Sequence, residues 1–282
     1  VWPGCEEEAI LPLFDALNQQ VYYFEVFNQG QKEFQCSVNA DVSWVLPSAS
    51  FLTVKTQERI YLDVNWKEVP EGYHKVEIEI TGPGKLSIPV FMEVDNRLTL
   101  SQLPEKEFFL DMNGLVSMEA AHHMKAVDNE PVKWHEIPNL GRSGSSMLTL
   151  PVTTGPSKPG GDSPRMEYQF YARDTGLFVV SSYLSPTLNF HNDEGRSFAV
   201  SIDDETPLVV NMHKQSHELW DRWVSNNINV QNSVHHISKP GMHTLKCWRV
   251  DAGVVLQKIV IRKKGMIDPS YLGPPESIRI TP

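Results

Sequence analysis

The chain has little of what marks the specialised protein classes. It holds 3 cysteines in 282 residues, and Cys5, Cys36 and Cys247 are too widely spaced for a disulfide framework or a CxxC metal or redox motif. No apolar run approaches the roughly 18 residues a membrane-spanning helix needs. Basic side chains are the minority, 25 Lys and Arg against 35 Asp and Glu for a net charge of -10, which disfavours a binder that tracks nucleic-acid phosphates. There is no internal repeat. The opening Val-Trp-Pro-Gly-Cys carries neither an initiator Met nor a charged-then-apolar leader, so a further N-terminal part is expected.

What is present describes a globular β protein. Hydrophobic residues make up 40% and charged residues 21%, the mean hydropathy is -0.31, and the length suits two domains. Charge divides unevenly: residues 1–96 carry 6 basic and 15 acidic side chains, and the remainder is nearly balanced. From Gln20 to Val94 side chains alternate between apolar and polar, the period of strands with one wet face. Val76, Ile78 and Ile80 alternate with Lys75, Glu77 and Glu79. After Gly82-Pro83-Gly84 the pattern resumes at Leu86, Ile88, Val90, Met92 and Val94, which reads as a hairpin. About six short strands in such a span predict an immunoglobulin-like sandwich over 1–96.

Alternation is lost over 97–112, which reads as a linker. From 113 to 282 strand runs return at Met147–Val152, Glu167–Ala172, Leu177–Leu184, Phe198–Asp203, Leu208–Met212, His243–Val250 and Val254–Arg262. Their long connections predict a jelly roll, so the fold class is all-β with two sandwich domains. The Pro/Gly-dense stretch 154–164 reads as a mobile surface loop. One helix is expected from Gln215 to Asn227, with Leu219, Trp220 and Trp223 on one face. Residues 263–282 read as an irregular tail.

Few residue patterns point to catalysis. Glycoside hydrolysis normally needs two carboxyl groups across a sugar-sized cleft, but Glu6-Glu7-Glu8 is a terminal charge run, and Asp193-Glu194 and Asp203-Asp204-Glu205 read as solvated acids. The pairs His122-His123 and His235-His236 point to opposite faces of a strand and cannot chelate one metal. The stretch Gly141-Arg142-Ser143-Gly144-Ser145-Ser146 lacks both the P-loop ending and nucleophile-elbow spacing, and reads as a turn. Aromatic side chains in sandwich loops can stack on sugar rings. Trp134, Trp220, Trp223 and the loop Tyr183–His191, with Asn189 and His191, are therefore carbohydrate-binding candidates, although core burial is the commoner role for each Trp taken alone. Trp44, Trp66 and Trp248 lie inside strand patterns and are assigned to cores.

The second half resembles a known family. Ser117-Met118-Glu119-Ala120-Ala121-His122 and Trp134-His135-Glu136-Ile137-Pro138-Asn139-Leu140-Gly141-Arg142-Ser143-Gly144 resemble the opening of carbohydrate-binding jelly rolls. Leu184-Ser185-Pro186-Thr187-Leu188-Asn189-Phe190, Phe198–Asp204, Asp251–Ile261 and Pro269-Ser270-Tyr271-Leu272-Gly273-Pro274-Pro275-Glu276-Ser277 resemble the C-terminal domain of glycoside hydrolase family 115 over about 115–277. Tyr22-Tyr23-Phe24-Glu25-Val26-Phe27-Asn28-Gln29-Gly30 and Val69-Pro70-Glu71-Gly72 are similar to the sandwich that precedes it. The resemblance implies an α-glucuronidase acting on glucuronoxylan outside the cell, in a periplasmic, cell-surface or secreted position. Its catalytic barrel would lie upstream, so no catalytic residue carries over to this chain.

The same resemblance implies a structural calcium with Glu119 and Asp251 as oxygen ligands. This chain has Ala121 where a second acid would stand. Three functions stay open on the sequence. The chain is a noncatalytic part that supports the barrel, shapes the cleft or joins a homodimer; it is an autonomous carbohydrate-binding module; or it is a structural or adhesive sandwich that binds no glycan. Fold alone does not choose among them.

Overall fold

A computed structural model describes residues 7–191, 194–267 and 273–282. Cys5, Glu6, Asp193 and the 269–272 part of the family-like ending lie outside the described residues. The chain divides into two compact units, 1–104 and 105–282, both built almost wholly of strands.

In unit 1 the strands are β1 (Phe14–Asp15), β2 (Tyr22–Phe27), β3 (Phe34–Ala40), β4 (Val45–Pro47), β5 (Phe51–Val54), β6 (Gln57–Val64), β7 (Tyr73–Thr81) and β8 (Ser87–Asp95). They form two sheets, β1-β8-β7-β3-β5 and β2-β6-β4. The expected hairpin is β7 and β8, paired from Tyr73 opposite Asp95 to Thr81 opposite Ser87. Its alternation is realised in burial: Val76 and Ile78 are inside, Glu77 and Glu79 outside. Phe14, Ile60, Leu62, Ile78 and Met92 close the core, with Trp44 buried among them and Trp66 packed against its margin. Each such side chain stabilises the unit by roughly 1.5–3 kcal/mol relative to exposure.

Unit 2 holds β9 (Phe108–Leu110), β10 (Leu115–Glu119), β11 (Lys125–Val127), β12 (Lys133–Ile137), β13 (Ser146–Leu150), β14 (Arg165–Ala172) and β15 (Gly176–Leu184). There follow β16 (Ser197–Ile202), β17 (Leu208–Asn211), helix α1 (Ser216–Asn226), β18 (Asn229–Ile237), β19 (Gly241–Arg249), β20 (Leu256–Lys263) and β21 (Arg279–Ile280). One sheet runs β12-β13-β20-β15-β18, with β10 also on β20; the other runs β17-β16-β19-β14-β9-β21, with β11 on β14. Between them lies a core that includes Met118, Tyr168, Phe170, Phe178, Val180, Leu245 and Ile261. Helix α1 ends at Asn227, which takes a left-handed φ of 52° and donates its backbone N–H to the last turn, a common helix stop.

Three expectations are corrected. Residues 108–110, read as linker, form β9, fully buried between β14 and β21; Phe108-Phe109-Leu110 is too short a run to show a period. Within the tail read as irregular, Arg279–Ile280 form β21, which pairs with β9, and Ser277 bonds to Ser117. The 154–164 stretch is irregular but pinned: the buried Arg249 donates to Thr154 O, Gly155 O and Ser157 Oγ. Both described cysteines, Cys36 and Cys247, are free and buried. Burial pushes the Cys247 thiol up to about 12, which leaves it inert near neutral pH.

The turn from β9 into β10 carries a buried acid. Asp111 is 1% exposed and accepts the Gly114 backbone N–H at 2.7 Å. Burial raises its carboxyl from 3.8 to about 6, against the opposing pull of that N–H and of Arg173. Because the group titrates higher folded than unfolded, its contribution is complete below about 3.8 and is lost as pH rises through about 6. The rise corresponds to about 3 kcal/mol. Asp111→Asn, which keeps the acceptor oxygen, is expected to be more stable than the wild type at pH 7 by up to that amount and to flatten the stability profile between pH 4 and 7. Urea unfolding at the two pH values checks this; an equal loss of stability in both proteins would remove Asp111 as the cause.

Candidate carbohydrate-binding end of unit 2

One end of the second sandwich gathers three connections: 151–164, 185–196 and 250–255. The strands bring them together, since Leu184 at the end of β15 pairs with Leu256 at the start of β20. Backbone bonds then tie loop to loop: Ser185 N to Val255 O at 2.9 Å, Ser157 N to Val250 O at 2.8 Å and Asp251 N to Ser197 O at 2.9 Å. Asp251 completes a ring by accepting the Ser197 N–H on Oδ2 at 2.7 Å.

The 185–196 loop is held from beneath by His213. Its Nδ1 accepts the Arg196 backbone N–H at 2.9 Å, which fixes the other ring nitrogen as the donor to Thr187 O at 2.7 Å. A single neutral ring thus bridges both sides of the loop. At its tip Leu188, Phe190 and His191 are exposed. The Phe190 and His191 rings stand 4.6 Å apart at 47°. The Arg196 guanidinium lies 5.1 Å from the Phe190 ring centre and donates to Asn189 Oδ1 at 3.3 Å. Behind Phe190 is Gly253, where a Cβ would come within 2.4 Å of the ring and φ is +83°; only glycine permits this approach without strain. Phe190 is therefore backed on two sides and 47% exposed, an aromatic surface ordered before any ligand arrives.

The sequence candidates fare unequally. Asn189 and His191 share this tip. Trp223 on α1 is 6% exposed, so its ring is covered and offers no face for stacking, which corrects its reading as a binding residue. Trp220 is half-buried on the same helix. Trp134 is half-buried on β12 and packed against the core. With Thr149, Trp248, Asp251 and Val254 it lines a cavity of about 10 Å³, room for one water and far below a sugar ring. Phe190 and Arg196 are the additions the structure makes. Phe190 stood within the aromatic loop in the sequence, but nothing there tied it to Gly253 or Arg196.

Glu119 and Asp251, the calcium candidates, have other employment. Glu119 is paired with Lys258 Nζ at 3.0 Å and accepts the Ser143 hydroxyl at 2.6 Å, while Asp251 is committed to Ser197. Among the described residues no three His, Cys, Asp or Glu side chains converge as a metal would need. The donor set does not fit a calcium ion, which takes six to eight oxygens.

A second polar cluster has the connectivity of a nucleophilic triad. Ser233 Oγ meets His235 Nε2 at 2.7 Å, and His235 Nδ1 meets Glu205. Ser233 and His235 are 4% and 3% exposed and face the other sheet from β18, so the cluster seals the sandwich edge. His236 beside it points outward.

A family model for the glycosyl hydrolase family 115 C-terminal domain matches residues 108–276. The chain belongs to this family. No curated protein matches it. Among solved structures it is similar to BtGH115A, a family 115 4-O-methyl-α-glucuronidase with specificity for decorated arabinogalactans, at 20% identity and a TM-score of 0.43 over 54% of this chain. The match spans 18% of that enzyme's length. It is also similar to the C-terminal family 6 carbohydrate-binding module of a laminarinase from Zobellia galactanivorans, at 13% identity and a TM-score of 0.34 over 53% of this chain and 99% of that one. A family 35 carbohydrate-binding module from Clostridium thermocellum is similar at 13% identity and a TM-score of 0.36, covering 52% and 98%.

The buried position of Trp223 is directly testable. Trp223→Ala is expected to lower stability by about 3 to 5 kcal/mol through the cavity it leaves, read as a shift in the urea midpoint. A variant as stable as the wild type would show that the indole does not belong to the core.

Proposed function

We propose that this chain is the noncatalytic C-terminal part of an α-glucuronidase-type glycoside hydrolase acting on glucuronoxylan, and that its second unit holds polysaccharide at the 185–196 loop. The observation that carries this reading is Phe190, exposed yet fixed by Gly253 and Arg196, within a domain of family 115. Apolar sugar faces stack on such a ring, and a fixed ring loses little entropy on binding. Asn189 and His191 beside it supply hydrogen-bonding groups of the kind that select among sugars. Catalysis is assigned to an upstream domain of the same polypeptide, with this chain supporting that domain or bringing two copies together as a homodimer. The substrate places the protein outside the cell, periplasmic, on the surface or secreted. No helix among the described residues is long and apolar enough to cross a membrane.

A second reading, an autonomous carbohydrate-binding module, uses the same tip and differs in needing no catalytic partner. Binding of the 282-residue chain to glucuronoxylan and to arabinogalactan, followed by affinity electrophoresis and calorimetry, tests what the two readings share. Phe190→Ala is expected to weaken retention on the preferred polysaccharide about tenfold with the thermal midpoint unchanged, and the wild-type chain is expected to release no uronic acid. Undiminished retention by Phe190→Ala would move the binding site elsewhere. Heat-sensitive release of uronic acid would overturn the noncatalytic assignment.

A further inference from the structure

Where β10, β20 and β15 run side by side, their sheet is buried on both faces. Inward lie Val116, Met118, Phe178, Val180, Ile259 and Ile261. Outward lie Ser117, Glu119, Ser181, Tyr183, Lys258 and Val260, and each of them is also buried. The C-terminal residues provide cover there. Gly273 crosses so close that a Cβ would sit 3.4 Å from Lys258 Cδ and from the Tyr183 ring. The chain then turns over the β10 edge, where Ser117 N donates to Ser277 Oγ at 3.0 Å, Ser277 N donates to Ser117 O at 2.9 Å and Glu119 N donates to Glu276 Oε1 at 2.9 Å.

At the centre of this crossing is one cation. The Lys258 ammonium, 3% exposed, reaches Glu119 Oε1 at 3.0 Å and Pro274 O at 2.9 Å. The same Glu119 oxygen accepts the Ser143 hydroxyl, and Ser117 Oγ donates to the same Pro274 carbonyl. An oxygen from β10 and one from the C-terminal segment thus meet at a buried positive charge, and the 141–145 turn is tied to the same carboxylate.

We propose that Lys258 is the built-in cation of this unit: its ammonium, in place of a bound metal ion, clamps the C-terminal segment across the outer face of the sheet and closes that face to ligands. The proposal stands apart from the glycan reading of the loop tip. A buried ammonium deprived of its carboxylate, or the reverse, is strongly unfavourable, so the two groups hold the strap only together. A divalent ion seated on Glu119 would have to displace the ammonium already there.

The test uses the full chain. Wild-type protein is expected to keep one thermal midpoint for unit 2 in excess EDTA and in excess calcium. Lys258→Met is expected to lower that midpoint by about 10 °C and to expose residues 273–282 to limited proteolysis before the rest unfolds. Adding Glu119→Gln to Lys258→Met should recover part of the loss, because the stranded carboxylate is then gone. Lys258→Arg, which keeps the charge, should protect the segment better than Lys258→Met, and decides the matter if the Met variant does not fold. A wild-type midpoint that drops in EDTA and returns with calcium would overturn the proposal. So would a Lys258→Met chain as stable and protease-resistant as the wild type, or an Arg variant cleaved as readily as the Met variant.

Discussion

Where β10, β20 and β15 run side by side, neither face of the sheet is wet, and over that part the second cover comes from the C-terminal residues 273–277. β20 sits between β15 and β10 with apolar side chains toward the core and a mixed set, Lys258, Val260 and Arg262, on the far side. Polar groups on that far side stay buried only because each finds a partner: Lys258 in Glu119 and Pro274, Arg262 in the Met266 carbonyl, the Ser117 hydroxyl in the Pro274 carbonyl. Partners for a face of this kind have to come from distant sequence, which is why strands near residue 117 are tied to residues near 277. β9 completes the closure by accepting β21 on the opposite sheet.

That closure leaves only part of the sheet face covered. With one face turned into the core and the middle of the other under the C-terminal residues, the loops at the end of the sandwich and the outward side of β18 stay exposed. The scaffold makes those loops precise. Arg249 leaves the end of β19 and spends its guanidinium on three groups of the 154–157 stretch, while His213 and Asp251 fasten the two sides of the 185–196 loop. Segments without secondary structure are thereby ordered by buried polar groups, as irregular backbone near a core requires.

Much of this was legible in the sequence where one face of a strand is wet. β7 and β8 announce themselves because Val76 and Ile78 alternate with acids, and the strands from 165 to 202 and from 241 to 263 stand close to where periodicity puts them. The signal fails where the physics inverts it. β18 turns Asn229, Gln231, Ser233 and His235 inward and leaves Val230 and Val234 at 38% and 47% exposure, so its hydrophobic pattern marks the wrong face. β9 is three apolar residues with no polar alternate. For the site, an aromatic loop was readable, but what makes Phe190 a fixed surface is its contact with Gly253, more than sixty positions away, and no local pattern encodes that. Trp223 shows the converse. An aromatic stripe on a helix is equally consistent with a binding face and a packing face, and only the tertiary arrangement distinguishes them.

Connectivity alone is a poor guide to chemistry in this molecule. Ser233, His235 and Glu205 are linked like a nucleophile, base and orienting acid, yet Ser233 faces the opposite sheet and is sealed by the strand that carries it. A triad acts on a substrate only if a reacting carbon can stand about 3 Å from the hydroxyl with donors ready for the developing charge. Here the neighbouring inward groups, Asn229 and Gln231, are spent on the Met212 carbonyl. The row from Asn229 to His235 is better understood as polar mortar at the sandwich edge: it satisfies the backbone where β17 gives way to α1, and in doing so sets the level at which the His213 clamp grips the 185–196 loop. The same buried polarity that resembles an active site is, in this fold, what holds the true candidate site in place.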